Sequence, residues 1–252
     1  MQDQFSRSRM LMGDAAISCL QNSHVAVFGV GGVGGFAVEA LARAGVGTLS
    51  LFDHDRVCKT NLNRQIIATH QSIGAYKVAL MKTRILEINP NAQVYAHQMF
   101  VTPETALTID FTQFDYIMDA IDTVTSKIEL VKRAKAVSVP IICAMGAANK
   151  LDPTAFTVSD IHKTEGDALA RVMRRELRAL CIKQVKVVYS KEQAKTPLAE
   201  FAGECGEACT CGKGAAAESV RRQTPSSASF VPGVAGMILA GEVIKDLTGI
   251  IS

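Results

Sequence analysis

The stretch His24-Val25-Ala26-Val27-Phe28-Gly29-Val30-Gly31-Gly32-Val33-Gly34-Gly35 decides the fold. A short apolar strand runs straight into glycines, and helical spacing follows at Phe36, Ala37, Ala40, Leu41 and Ala44 before Gly45 stops it. In such a turn Gly29 permits the tight exit from the strand. Gly31 and Gly32 let backbone approach a phosphate, and Gly34 lets the helix pack on the sheet. The free amides and positive dipole end of the helix favour an anion. Thr48–Phe52 reads as the next buried strand, and Asp53 ends it, where an acid can bind ribose hydroxyls. A nicotinamide or flavin oxidoreductase would fit these residues equally well.

Outward from the turn, strands and helices alternate. Helices are expected over Ile73–Ile88 and Val124–Ser138, and strands over Gln93–Met99, Tyr116–Ile121 and Val139–Ala144. This rhythm means βαβ units, an α/β fold with a mainly parallel Rossmann-like sheet and helices on both faces. Beyond Gly146 a mixed β/α part follows. It has strands at Phe156–Val158 and Val185–Tyr189 around a helix Gly166–Leu180, then a final helix Val234–Leu247. The expected organisation is a single unit over 1–252, with an ATP-binding core at 1–150 and a substrate-side extension at 151–252. The polar stretch 191–227, rich in Gly, Ala, Cys and Ser, is expected to be a mobile loop.

The 252 residues suit one large domain or a domain with an insertion. Apolar residues make up 48% and charged residues 20%, and the net charge of +3 does not by itself mark a nucleic-acid binder. Seven cysteines, an odd count with no apolar leader before them, point to a reducing cytoplasmic compartment. The most apolar stretch, Phe230 to Gly241, is too short to span a bilayer and reads as a buried helix; no stable membrane insertion is expected.

A second motif narrows the ligand. Phe52-Asp53-His54-Asp55-Arg56-Val57-Cys58-Lys59-Thr60-Asn61-Leu62-Asn63-Arg64-Gln65 is a charged loop, and no P-loop occurs. Cations for a triphosphate must then come from elsewhere. Arg64 offers a planar fork and Lys77 a point charge, with Asn61 and Gln65 as further candidates. Asp122, at the end of a strand, is placed to hold magnesium between phosphates.

The set Gly29-x-Gly31-Gly32-Val33-Gly34, Asp53-x-Asp55, Asn61-Leu62-Asn63-Arg64-Gln65, Lys77 and Asp119-x-x-Asp122 resembles the ubiquitin-activating-enzyme-like (ThiF-type) adenylyltransferases. The resemblance implies ATP and Mg2+ as cofactors. It implies that Arg64, Lys77 and Asp122 serve catalysis, with the glycines, Asp53, Asp55, Asn61 and Gln65 holding the nucleotide. The head Phe5-Ser6-Arg7 resembles the family's N-terminal arginine motif, which implies a homodimer with Arg7 acting in trans.

No Cys-x-x-Cys occurs, whereas sulfur-carrier activators of this family commonly hold structural zinc with two such pairs. The head Phe5-Ser6-Arg7-Ser8-Arg9-Met10-Leu11-Met12-Gly13, the strand Val187-Val188-Tyr189-Ser190 and the tail Ser229-Phe230-Val231-Pro232-Gly233-Val234-Ala235-Gly236 are more similar to the tRNA threonylcarbamoyladenosine dehydratases. That likeness implies ATP-dependent cyclisation of threonylcarbamoyladenosine in tRNA through an adenylylated carboxylate. The alternatives are activation of a ubiquitin-like sulfur-carrier protein, the oxidoreductase, and a nucleotide-binding scaffold for a sulfur-transfer partner such as a cysteine desulfurase.

Two features remain. Arg171, Arg174, Arg175 and Arg178 fall at i, i+3, i+4 and i+7, one stripe suited to an RNA backbone or, more plainly, a solvated face paired with acids such as Glu176. Cys205, Cys209 and Cys211 form Cys-x-x-x-Cys-x-Cys, a candidate metal or sulfur-relay cluster lacking an evident fourth ligand, against which stands a loop with incidental thiols.

Overall fold

The computed structural model describes residues 3–198 and 225–250. Residues 199–224, with Cys205, Cys209, Cys211 and the middle of the expected loop, lie outside the described residues.

The chain opens with α1 (Ser6–Asn22), then β1 (His24–Phe28), α2 (Gly34–Ala44), β2 (Thr48–Phe52), α3 (Lys77–Ile88) and β3 (Gln93–His97). It continues with β4 (Tyr116–Asp119), α4 (Val124–Ala136), β5 (Ile141–Ala144), β6 (Phe156–Asp160), α5 (Ala168–Ala179), β7 (Lys186–Ser190) and α6 (Val231–Thr248). The seven strands form one sheet in the order β3-β2-β1-β4-β5-β7-β6. All neighbours are parallel except β6 and β7. The strands read beyond Gly146 therefore join the same sheet as the glycine-turn strand.

The order places the ligand. The chain runs outward from β1 through β2 to β3, then returns to set β4 on the other side of β1. At such a switch point the loops leaving the carboxyl ends of β1 and β4 diverge and leave a crevice. Both faces of the sheet are covered: one core gathers Val25, Val27, Leu41, Met81 and Leu239, the other Phe28, Ile117, Leu130, Met173 and Leu177. Among the described residues no helix is long and apolar enough to cross a membrane.

The ends of the elements differ from the sequence reading in ways that matter. Helix α3 begins at Lys77 rather than Ile73. Residues before it are held as a turn: Gly74 N–H donates to Val57 O, Arg56 caps the Tyr76 ring at 3.6 Å, and Lys77 N–H donates to Asp55 O. Lys77 thus stands at the first position of the helix, over the cleft. Helix α6 begins three residues earlier than expected, at Val231, because Pro232 suits a first turn. It then crosses α2 so closely that a Cβ at Gly236 would meet the Val33 carbonyl.

Helix α1 is absent from the sequence reading. Its first half carries Met10 and Leu11 in solvent, 88% and 87% exposed, and only Ala16, Ile17 and Leu20 are buried within it. Gly13, at φ 83°, interrupts it. An apolar face confined to one half, across a glycine break, gives no clear helical period.

Candidate active site

The cleft at the carboxyl edge of β1, β2, β4 and β5 has a volume of about 770 Å³, within the range for small-molecule sites. Its wall includes Gly29, Gly31, Gly32, Asp53, Asp55, Asn61, Arg64, Gln65, Lys77 and Asp122. These are the expected nucleotide residues with two exceptions, Gly34 and Arg7.

Gly34 serves from behind. A Cβ there would lie 1.8 Å from the Gly29 carbonyl oxygen, so only glycine lets the turn close onto its own helix. Gly29 adopts φ 90°, and its own Cβ would meet the Ala120 carbonyl at 2.7 Å, which welds the glycine turn to the loop after β4.

Arg7 lies at the opposite end of α2. Its neighbour Phe5 packs on Gly45, the carboxyl cap of α2, and Gln4 donates to Asn89 at the end of α3. The 11 residues of α2 span about 16 Å. Arg7 is exposed and does not line the cleft of its own chain.

The charged loop is tied into place by its own polar groups. Asp53 accepts from Val30 N–H at 2.7 Å and Asp55 N–H at 2.8 Å, so it clamps the glycine turn to the loop as well as facing the cleft. Lys77 Nζ meets Asp55 Oδ2 at 2.7 Å, and His54 Nε2 lies 3.2 Å from Asp55 Oδ1. The Asn61 amide oxygen accepts from Cys58 N–H at 3.0 Å, which makes Asn61 a brace of the loop. Arg64 Nη1 donates to Thr60 O and to Asn63 Oδ1. Gln65 is 7% exposed, and its Oε1 has no hydrogen-bond partner among the described residues. A buried amide oxygen at the wall of a cleft can accept from an N–H or O–H of whatever enters.

Behind Asp122 lies a charged pair that sequence reading missed. Lys127 Nζ is 2.9 Å from Asp119 Oδ2, and both side chains are fully buried. Lys127 also donates to Ile121 O at 3.0 Å, while Asp119 Oδ1 accepts from Ile121 N–H at 3.2 Å. The N–H and the C=O of Ile121, the residue before Asp122, are thereby both fixed. Asp122 itself is exposed, with the Thr123 hydroxyl at 3.4 Å. Burial, reinforced by the Asp119 charge, pushes the nearby Cys143 thiol well above its usual range, which makes it an inert core residue.

A second unforeseen pair stands across the cleft. Lys150 Nζ meets Asp167 Oδ2 at 2.9 Å and donates to Gly146 O at 2.8 Å. Asp167 also caps α5 by accepting from Ala170 N–H at 2.8 Å. No motif announced this pair: Lys150 and Asp167 are 17 residues apart in unremarkable surroundings.

The arginine stripe is narrower than its spacing suggests. Arg171, Arg175 and Arg178 are exposed, but Arg174 folds back and donates to the Thr164 carbonyl and hydroxyl, each at 2.5 Å. Arg175 pairs with half-buried Glu176 at 2.6 Å. Lys186 is turned away, bonded to Glu242 and Asp246 of α6. A separate cavity of about 340 Å³ lies over β1–β3 beside His24, Tyr95 and His97, where burial lowers the pKa of both imidazoles.

Sheet order, glycine turn and a cleft that holds Arg64 and Lys77 together define a nucleotide-binding α/β protein without a P-loop. The ThiF family model matches residues 5–252, and the chain belongs to that family. It is 45% identical over 245 residues to the tRNA threonylcarbamoyladenosine dehydratase of Bacillus subtilis, covering 97% of this chain and 94% of that one. The Escherichia coli enzyme of the same name is 38% identical over 175 residues, 69% of this chain and 65% of that one. Among solved structures, the Escherichia coli tRNA N6-threonylcarbamoyladenosine dehydratase in complex with ATP superposes with a TM-score of 0.82 at 30% identity. It covers 98% of this chain and 94% of that chain.

Proposed function

We propose that this protein is an ATP-dependent enzyme acting on tRNA: it adenylylates the carboxylate of threonylcarbamoyladenosine and lets the side chain close to a ring with net loss of water. The observation that carries the reading is the cleft itself. In a chain similar from end to end to a named dehydratase, it gathers Arg64, Gln65, Lys77 and Asp122 beside the glycine turn.

The chemistry suits the residues. A carboxylate is a poor electrophile because oxide is a poor leaving group, and adenylylation replaces oxide with AMP. The glycine turn and Asp53 hold the α-phosphate and ribose, Arg64 and Lys77 neutralise charge on the departing pyrophosphate, and Asp122 holds magnesium. Magnesium takes one or two carboxylates and fills its shell with phosphate and water oxygens, which fits an exposed Asp122. That ion, when bound, draws electron density from the phosphates. Arg7, too far from its own cleft, supports a homodimer in which it serves the partner's site. The cytoplasm, where tRNA is found, is the proposed compartment.

The test is direct. The protein is incubated with ATP, magnesium and threonylcarbamoyl-modified tRNA, and the nucleosides are weighed. The modified adenosine should lose one water; an unchanged mass with ATP intact removes the reading. ATP–pyrophosphate exchange that requires a small protein ending in Gly-Gly, and ignores tRNA, would support the sulfur-carrier alternative instead.

On the same reading Arg171, Arg175 and Arg178 contact the tRNA backbone. Reversing two charges in Arg171→Glu/Arg175→Glu is expected to weaken tRNA binding and to lower the slope of log affinity against log salt by about 2. Binding titrations at several salt concentrations measure this, and an unchanged slope returns the stripe to an ordinary solvated face.

A further inference from the structure

The cleft has a second wall, away from the glycine turn. Ala147 and Ala148 follow the end of β5, and Ala194, Pro225 and Ser227 stand with them in the lining. With strands about 4.8 Å apart, β5 is two strands, or about 10 Å, from β1. The function proposed above puts the triphosphate at the β1–β2 wall, which leaves this second wall to the modified adenosine. Resting on that reading, we infer that Asn149 is the positioning residue that shapes the second wall for the acyl substrate.

Asn149 stands where three stretches of chain meet, and three of its groups are used. Its N–H donates to Ser226 O at 2.9 Å, and its carbonyl accepts from Lys195 N–H at 2.7 Å. Its side-chain Oδ1 accepts from the N–H and from the hydroxyl of Ser226, each at 2.8 Å. Ser226 and Lys195 are the chain neighbours of Pro225, Ser227 and Ala194 in the lining. One residue thus sets stretches far apart in sequence side by side along the cleft. The backbone suits the task. Asn149 sits at φ 60°, in the left-handed region that asparagine enters more readily than most residues. Its loop is anchored from behind, because buried Lys150 bonds Gly146 O at 2.8 Å and Asp167 Oδ2 at 2.9 Å.

The nucleotide end does not depend on Asn149. Arg64 Nη1 is held within its own loop by Thr60 O and Asn63 Oδ1. Asn63 Nδ2 donates to Ser227 O at 2.9 Å, so the 225–227 stretch keeps that tether whatever stands at 149. Loss of the Asn149 amide therefore misaligns the second wall without detaching it.

Three substitutions separate the amide from the backbone. Asn149→Gly keeps the left-handed turn and removes the Oδ1 acceptor. Asn149→Ala removes the acceptor and strains the turn as well. Asn149→Asp keeps both the acceptor and the turn. Steady-state turnover is measured with modified tRNA varied at saturating ATP, and with ATP varied at saturating tRNA, alongside thermal melts. In Asn149→Gly the KM for modified tRNA is expected to rise about tenfold, the scale of one or two lost hydrogen bonds. The KM for ATP and kcat should stay within about threefold, the pattern of lost substrate binding rather than lost phosphate chemistry. Asn149→Ala should show the same rise with an added fall in melting temperature, and Asn149→Asp should recover most of the KM. An unchanged KM for tRNA in Asn149→Gly, an equal rise in the KM for ATP, or no recovery in Asn149→Asp overturns the inference. A wild-type protein that leaves the modified tRNA unchanged overturns the dehydratase reading instead, and does so before any substitution is made.

Discussion

Replacing Lys127 by methionine is expected to destabilise the protein by about 3–5 kcal/mol. The ammonium group sits in a fully buried site against Asp119, and its removal strands a carboxylate where water cannot reach it. Methionine fills most of the volume, so the loss is electrostatic rather than a cavity. For a chain of this size the melting temperature should fall on the order of 10 °C, measured by calorimetry or far-UV circular dichroism. The Ile121 carbonyl also loses its donor, which loosens the turn that presents Asp122. Activity should therefore fall even at temperatures where the variant is folded. Adding Asp119→Asn removes the stranded charge and should recover part of the stability. A single variant within about 1 kcal/mol of wild type would show that the pair contributes little.

The location of that pair shows what the sequence conveyed and what it withheld. Strand β2 coincides with its expectation because Leu49, Leu51 and Phe52, set between Gly47 and Asp53, mark a short buried strand even with Ser50 inside it. The glycine turn was legible for a related reason: strand, glycines, helix and acid are all local. Most of the cleft followed: Asp53 and Asp122 directly follow strands that were legible, and Arg64 and Lys77 stood out as cations in the stretch that follows the glycine turn. The failures are contacts between elements. Nothing local distinguishes Lys127, which is buried against Asp119, from Lys132, which is half exposed on the same helix. Nothing local says that Arg174 turns back to Thr164 while Arg171 does not. Lys150 and Asp167 meet only because the loop after β5 lies against the start of α5. Helix α1 was lost because its burial depends on α6, more than 200 residues away, and on Gly47, which lets the Gln21 carbonyl approach where a Cβ would lie 1.8 Å from it.

Replacing Lys77 by methionine is expected to lower turnover of modified tRNA about 10³-fold with little loss of stability. The charge to be stabilised develops on pyrophosphate as the α-phosphorus is attacked, and deleting one preorganised cation from such a site costs about 10²–10³-fold. Here a second effect adds to the first. Lys77 is 2.7 Å from Asp55, so the variant leaves Asp55 facing the triphosphate with its negative charge uncompensated. Asp55 is about a third exposed and stays hydrated, which is why folding suffers little. Both effects act on the phosphates, so exchange and ring closure should fall together. Lys77→Met/Asp55→Asn removes the repulsion while leaving the cation missing, and should regain roughly tenfold. Lys77→Arg should recover little, because a planar fork cannot occupy the place of a compact ammonium held at the first turn of α3. Steady-state assays with varied ATP, alongside thermal melts, measure all of these. A Lys77→Met enzyme with wild-type turnover would move the phosphate-binding role to Arg64 alone and would make the Lys77–Asp55 pair a brace of the loop.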